Sequence, residues 1–119
     1  MTSSRAVLIF LFASVALALV SASKNDLVVG YPQYDSRVFV NEKVHAPAKL
    51  WGGKVVIEKE YRSPHIRFIT MIRAFDQNSS GHGAHVAIVG GGIGFDYVKL
   101  RFKSERLRGV DFNVEVHGK

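Results

Sequence analysis

Residues 81–104 hold most of the side chains with chemical potential, because histidines, glycines and bases alternate there with apolar residues. His82 and His85 lie three positions apart, and neutral imidazole is a good ligand for zinc. A closed metal site needs about four ligands, whereas the chain has no cysteine and its other histidines are distant in sequence. Residues three apart also point to opposite faces of a strand. We therefore treat His82 and His85 as candidate metal ligands that lack a complete site, and expect them to be solvated.

A run of glycines follows the histidines and consists of Gly90, Gly91, Gly92 and Gly94. The dinucleotide-binding fingerprint is G-x-G-x-x-G at the start of a helix. This run is spaced G-x-G-x-G, and the residues after it alternate like a strand. The chain also lacks the Gly-Lys-Ser/Thr of a phosphate-binding loop. Because glycine tolerates positive φ, the run predicts a tight or bulged structural turn, and we expect no cofactor.

The strand after the turn has one apolar and one polar face. The polar face carries four residues that we take as the candidate binding face: Tyr97, Lys99, Arg101 and Lys103. Basic and aromatic side chains on a sheet face are suited to anionic ligands and to base stacking. An ordinary solvated face that uses lysine against aggregation has the same composition. We expect Asp111 and Glu115, on the following strand, to neutralise part of this charge.

No arrangement of nucleophile, base and acid is recognisable in the chain. None of its serines lies in G-x-S-x-G, the motif of a strand-to-helix nucleophile turn, and the absence of cysteine excludes thiol chemistry. Glu58 and Glu60 share a strand face, but Lys54 and Lys59 flank them, which is typical of a solvated strand. We expect a protein that is not an enzyme.

The N-terminal residues have the three parts of a secretory signal peptide. Residues 1–5 carry one positive charge, residues 6–20 are uncharged, and residues 21–23 are small. The uncharged run is shorter than the roughly 20 residues that a membrane-spanning helix needs. We predict a helical signal peptide over residues 1–23, cleaved after Ala22 or Ser23, and a single domain over residues 24–119. The protein is then secreted and extracellular, without membrane contact once the signal is removed.

Composition limits the partners and the source of stability. The chain of 119 residues carries 16 Lys and Arg against 10 Asp and Glu, a formal net charge of +6. A positive balance favours acidic partners such as nucleic acid, anionic lipid or sulfated glycans. Small secreted domains usually rely on disulfides, so a chain without cysteine must depend on packing and strand pairing.

The pattern of short alternating runs between glycines and prolines predicts an all-β fold, a small antiparallel sandwich or barrel-like sheet of six to seven strands. Residues 65–75 are apolar on both faces, which favours a central strand, with a short helix as the alternative. Residues 41–49 contain Pro47 and predict a loop. The last strand is expected to pair with the one before it. The predicted strands are 27–31 at an edge, 37–40, 54–61, 65–75, one on either side of the glycine run, and 110–117.

Residues 76–83 are polar and predict an exposed loop. Asn78-Ser79-Ser80 within it is an acceptor sequence for N-linked glycan. In a secreted protein such a sequence belongs on the surface. We predict glycosylation at Asn78.

The second half of the chain resembles a known family through a series of spaced motifs. They are D-Q at 76–77, G-x-G at 81–83, A-x-V-G-G-G-I-G at 87–94, V-x-L-x-F-x-S at 98–104 and G-V-x-F-x-V-x-V-x-G at 109–118. The family is the insect family named after multiprotein bridging factor two, a transcription activator, whose members are often labelled probable salivary secreted peptides. The resemblance is strongest over residues 65–118.

The resemblance implies two different functions. The family name implies a coactivator that bridges a general transcription factor and a DNA-bound regulator, with no direct nucleic acid contact. The label and the signal peptide imply a secreted protein of saliva, haemolymph or cuticle. We rank a secreted, non-catalytic binding protein with an unknown protein partner first, transcriptional coactivation as the alternative, and a cationic antimicrobial protein third.

Overall fold

The computed structural model describes residues 25–119, so the predicted signal peptide lies outside the described residues. The described chain is all-β and contains no helix, as the alternating pattern predicted. No segment of residues 25–119 therefore has the helical length and hydrophobicity that a membrane span requires. The seven strands are β1 Leu27–Gly30, β2 Arg37–Ala46, β3 Val56–Arg62, β4 Ile69–Asp76, β5 Ala84–Gly91, β6 Tyr97–Ser104 and β7 Val110–Gly118.

The strands form two antiparallel sheets that pack as a sandwich. One sheet has the order β1-β4-β7-β2 and the other the order β3-β6-β5. Apolar side chains from both sheets form one core, and burial of each Val, Leu or Phe contributes roughly 1.5–3 kcal/mol. The fully buried members include Ile69, Ile72, Val98, Leu100, Phe102, Val110, Phe112, Val114 and Val116.

The segment 65–75 contains the central strand that the sequence predicted, and the helical alternative is wrong. β4 lies between β1 and β7, and residues 69–72 are all buried. Its outer face is covered by the loop that follows β1, where Ser36 Oγ lies 2.9 Å from Thr70 Oγ1. Because both faces of β4 are covered over residues 69–72, apolar residues occupy both faces there, whereas Arg73 and Phe75 further along are half-exposed.

The predicted loop at residues 41–49 is wrong for residues 41–46, which continue β2. β2 pairs with β7 as far as Ala46 opposite Val110, with a bulge between Val38 and Val40. Val44 is buried while its neighbours on either side are exposed. The mixed polarity is therefore the alternation of a strand with one wet face, and Pro47 only ends it.

The predicted pairing of the last two strands is also wrong. β7 pairs with β2 and β4, whereas β6 pairs with β3 and β5. The turn between β6 and β7 crosses from one sheet to the other, so their apolar faces meet across the core instead of lying side by side. Two strands with equally apolar inner faces satisfy the alternating pattern in either arrangement.

The loops gather at two ends of the sandwich, the Trp51 end and the glycine-turn end. The Trp51 end holds loops 47–55, 77–83 and 105–109, because Ala46 pairs with Val110 and Ala84 with Ser104 there. The glycine-turn end holds residues 92–96 together with loops 31–36 and 63–68. Every candidate residue lies at one of these ends or on the outer face of the three-stranded sheet.

Candidate binding surface

The candidate binding face lies on β6, the central strand of the three-stranded sheet. Val98, Leu100 and Phe102 point into the core and are fully buried. Alternation then places the other four residues together on the outer face, where β3 and β5 flank them. These residues are Tyr97, Lys99, Arg101 and Lys103.

Glu58 of β3 lies at the centre of this face and contacts two of its bases. Its carboxylate oxygens lie 3.5 Å from Lys99 Nζ and 3.4 Å from Arg101 Nη2. Desolvation beside the sheet is the largest single influence on the pKa of Glu58 and raises it, but the hydrogen bond from Arg101 and the charges of both bases together outweigh it. The pKa of Glu58 therefore lies below its ordinary value. Glu58 is charged at neutral pH and competes with any incoming anion for these bases.

Tyr97 is held from two sides. The guanidinium carbon of Arg62 lies 4.7 Å from the centre of the Tyr97 ring, and Arg62 also pairs with Asp96 at 3.3 Å. Phe95 packs edge-on against Tyr97, with ring centroids 6.2 Å apart and planes at 82°. Since Arg62 covers one ring face, Tyr97 offers less area for stacking than an isolated tyrosine.

Lys103 differs from the other two bases of the face. It lies opposite Val56 on β3 and His85 on β5, and neither neighbour is an acid. Within residues 25–119, no carboxylate lies at ion-pair distance from its ammonium group. The positive charge available to a ligand is therefore concentrated at the Lys103 end of β6, close to the Trp51 end of the sandwich.

The acids that were expected to balance this face do not lie on it. Asp111 and Glu115 belong to β7 in the other sheet. Asp111 lies 4.0 Å from Lys43 and Glu115 lies 4.0 Å from Arg73. The expectation was wrong because it rested on pairing of β6 with β7. Glu58, which does balance the face, comes from a strand some forty positions earlier in the sequence.

The candidate metal ligands meet at one acid. His82 Nδ1 lies 3.6 Å from one carboxylate oxygen of Glu105, and His85 Nε2 lies 3.9 Å from the other. Asp76, close to them in sequence, is buried and accepts hydrogen bonds from the backbone N–H groups of Asn25 and Asn78. Among the residues described, no three His, Cys, Asp or Glu side chains are placed to hold a metal ion.

The glycine run forms the connection between β5 and β6, with a bulge between Ile88 and Gly90. Gly91 has φ 61°, and a Cβ there would lie 2.2 Å from the carbonyl oxygen of Tyr97. The turn is also bonded to the other sheet, because Gly94 N–H donates to Ile69 O at 2.9 Å and Ile69 N–H donates to Phe95 O at 2.7 Å. A strand follows the turn, so no helix N-terminus is present to receive a phosphate.

Asn78 lies in the exposed loop between β4 and β5. Its side-chain oxygen accepts hydrogen bonds from Ser80 N–H at 3.0 Å and from Ser80 Oγ at 2.7 Å. The two ends of the acceptor sequence are therefore folded toward each other.

The chain is similar to known proteins over most of its length. A family model described as "Transcription activator MBF2" matches residues 29–118. The chain belongs to the MBF2 family. The match covers all of β2 to β7 and the second half of β1 in this MBF2 chain, and it confirms the resemblance that the spaced motifs indicated.

A relative of this MBF2-family chain carries a different description. A protein of Bombus ignitus described as "Probable salivary secreted peptide" is 36% identical over 95 residues, which cover 80% of this chain and 70% of the relative. The family model's description names a transcription activator, whereas the relative's names a secreted peptide. No solved structure matches the chain.

Two surfaces of this MBF2 chain were not predicted from its sequence. One is the Trp51 end, where Leu50 and Trp51 are exposed beside several bases. The other is a cavity of about 720 Å³ at the glycine-turn end, to which three separate segments contribute bases. Only folding brings those segments together, so neither surface has a local motif. The bases of the cavity are Arg37, His65, Arg67 and Lys119.

Proposed function

We propose that this protein is secreted and acts outside the cell by binding, without catalysis. The observation that carries the proposal is the 36% identity to a protein described as a probable salivary secreted peptide. The signal-peptide pattern of residues 1–23 points to the same compartment. A chain without cysteine also suits the oxidising exterior, since it has no thiol that could oxidise or mispair.

The geometry of the candidate face supports binding more than catalysis. The bases of β6 lie on an open sheet that water reaches freely, whereas catalytic groups usually lie in clefts that bury most of the substrate. The Glu58 carboxylate lies 3.5 Å from Lys99 Nζ and 3.4 Å from Arg101 Nη2, so an anion that binds either base must displace it. The ligand best suited to this face is therefore a polyanion, which gains from several bases at once.

N-terminal sequencing tests the proposal directly. The full chain is expressed in insect cells, and the protein is collected from the medium and from the cell lysate. We expect protein in the medium that begins at Ser23 or Lys24. A variant with Leu11→Arg and Leu17→Arg in the apolar leader should remain inside the cell. Protein that keeps Met1 and stays in the nucleus would overturn the proposal.

Transcriptional coactivation is the second candidate, and the family description is the observation that favours it. A coactivator must reach the nucleus with its binding surfaces exposed to other proteins. Fractionation of the same cells therefore separates the two candidates. Nuclear protein that activates a reporter only together with a DNA-bound regulator would favour coactivation, whereas export of almost all the protein would argue against it.

A further inference from the structure

Three apolar side chains at the Trp51 end of the sandwich are exposed to solvent in the part of the chain that the structure describes. Leu50 is 92% exposed, Trp51 is 99% exposed and Leu107 is 62% exposed. Large apolar side chains are common on protein surfaces one at a time, but these three come from two neighbouring turns. We call them the apolar tip.

The two turns of the apolar tip are fixed to each other. Leu107 N–H donates a hydrogen bond to Gly53 O at 3.3 Å. Closer to the sheet, Ser104 N–H donates a hydrogen bond to Val55 O at 2.8 Å. The Ser104 hydroxyl in turn accepts a buried hydrogen bond from Val55 N–H at 2.7 Å. The turn that carries Leu50 and Trp51 therefore ends on the same anchor as the turn that carries Leu107.

The backbone of Leu107 is strained although its side chain is exposed. Leu107 has φ 63°, a conformation that is unfavourable for residues with a Cβ and uncommon outside glycine, asparagine and aspartate. The strain is not compensated by burial, since the side chain is mostly in solvent. Strained residues of this kind concentrate at binding sites.

Four exposed bases flank the apolar tip in the sequence. Lys49 and Lys54 flank Leu50 and Trp51 in the sequence, and Arg106 and Arg108 flank Leu107; all four are exposed. Within residues 25–119 none of the four forms an ion pair. The nearest acid in sequence, Glu105, faces His82 and His85 instead. The tip is thus a small apolar surface inside a group of free positive charges.

We propose that the apolar tip docks on the surface of a lipid bilayer that carries anionic headgroups. Tryptophan and leucine enter the boundary between headgroups and acyl chains, and nearby bases are attracted to anionic lipid. Lysine and arginine also keep their charged ends at the surface while their stems lie along apolar groups. The tip is exposed and has Lys49 and Lys54 beside it in the sequence, whereas the core of a protein interface is depleted of lysine. This inference goes beyond the extracellular function proposed above, and it replaces the expectation that the processed protein makes no membrane contact.

The experiment uses Trp51 as its own reporter, because it is the single tryptophan of the chain. Protein purified from cells that express the full chain is titrated with vesicles of phosphatidylcholine alone and with vesicles that also contain phosphatidylserine. We expect the Trp51 emission to shift to shorter wavelength only with the anionic vesicles. Brominated lipid in those vesicles should quench the emission, and added salt should weaken binding because it screens exposed charges.

Variants separate the apolar and the basic contributions. Leu50→Ser keeps the reporter and should weaken partition roughly tenfold, since a buried leucine is worth at least that factor. Arg106→Gln with Arg108→Gln should weaken it about thirtyfold, because each base near an anionic surface contributes roughly a fivefold factor. The matched control is Arg37→Gln with Arg67→Gln, which removes the same charge at the glycine-turn end and should change partition less than threefold.

Three results would overturn the proposal. The first is an unchanged Trp51 emission with anionic vesicles. The second is equal weakening by the tip variant pair and the control pair, which would mean that net charge alone drives binding. The third combines two observations. The parent protein binds a protein partner from the secreted fluid but no vesicles, and Leu50→Ser no longer binds that partner. This result would assign the tip to a protein interface.

Discussion

Phe102 of β6 and Phe112 of β7 pack against each other across the two sheets, with ring centroids 5.2 Å apart and planes inclined at 57°. Both side chains are fully buried. They are the largest of the fully buried side chains and come from the central strand of one sheet and an inner strand of the other. The pair therefore joins the two layers of a fold that has no disulfide.

Replacing one ring of this pair should destabilise the protein strongly. Phe102→Ala removes buried surface and leaves a cavity, which together cost about 3–5 kcal/mol. Denaturation by urea, followed by far-ultraviolet circular dichroism, measures the loss. Phe95→Ala is the matched control, because Phe95 is 55% exposed. Its substitution should lower the free energy of unfolding by less than about 1 kcal/mol, as at surface sites in general. Equal losses in the two variants would contradict the central place of Phe102 in the core.

Removing the charge of Glu58 should increase the affinity of the candidate face for polyanions. Glu58→Gln frees Lys99 and Arg101 from their shared partner, and exposed ion pairs of this kind are weak because solvent screens them. We expect heparin to bind up to about fivefold more tightly at low salt. Glu60→Gln changes the net charge equally but leaves both contacts of Glu58 in place, so it should have the smaller effect. If both variants bind heparin equally, the face of β6 is not the site.

The same contact should make stability depend on pH in a defined direction. The folded-state pKa of Glu58 is lowered from its ordinary value of 4.5. Charged Glu58 therefore stabilises the folded state fully above pH 4.5, and this contribution is lost as the pH falls through the lower folded pKa. Urea denaturation of the parent and Glu58→Gln across this range should give curves that converge toward low pH. A difference that grows on acidification would contradict the assignment.

An alanine at Gly91 should disturb the connection between β5 and β6. Its Cβ would lie 2.2 Å from the Tyr97 carbonyl oxygen, so the turn must move in addition to adopting an unfavourable φ, which alone costs about 1–3 kcal/mol. Gly94→Ala is the control in the same turn, because φ there is 86° but no atom lies within 4 Å. Thermal unfolding should show a larger loss for Gly91→Ala. The reverse order would mean that crowding at Tyr97 is not the limiting factor.

Glycosylation at Asn78 should be visible as a change in electrophoretic mobility. Protein from the medium of insect cells should run faster after treatment with a glycosidase that removes N-linked glycan. Asn78→Gln and Ser80→Ala should abolish the difference, because both remove a required part of the acceptor sequence. Ser79→Ala alters the middle position, which tolerates any residue except proline, and should retain it. An unchanged mobility of the parent protein would contradict the prediction.

The faces of β6 and β7 could be predicted from the sequence because the two-residue period of a strand is local. Val98, Leu100 and Phe102 are buried as their spacing indicated. Pairing partners could not be predicted in the same way, since any two strands with one apolar face can lie side by side or face each other. That ambiguity explains why β7 was assigned to β6 and why Asp111 was expected on the wrong sheet.

The candidate site was predictable only in part for the same reason. The basic row on β6 follows from alternation within one strand. Its partner Glu58 does not, because the pairing of β3 with β6 joins residues 43 positions apart. The exposure of Trp51 could not be predicted either, since a single tryptophan beside two glycines is compatible with a buried or an exposed turn. The exposure of Trp51 is fixed by where the two turns end in space.

The position of β7 between β4 and β2 determines the order in which the chain can fold during synthesis. Both neighbours precede β7 in the chain, and the partner of β2 in its sheet is β7 alone. The four-stranded layer therefore cannot close until residues 110–118 have emerged from the ribosome. Until then β2 is without its partner strand, and an unpaired strand edge of this kind is prone to pair with other chains.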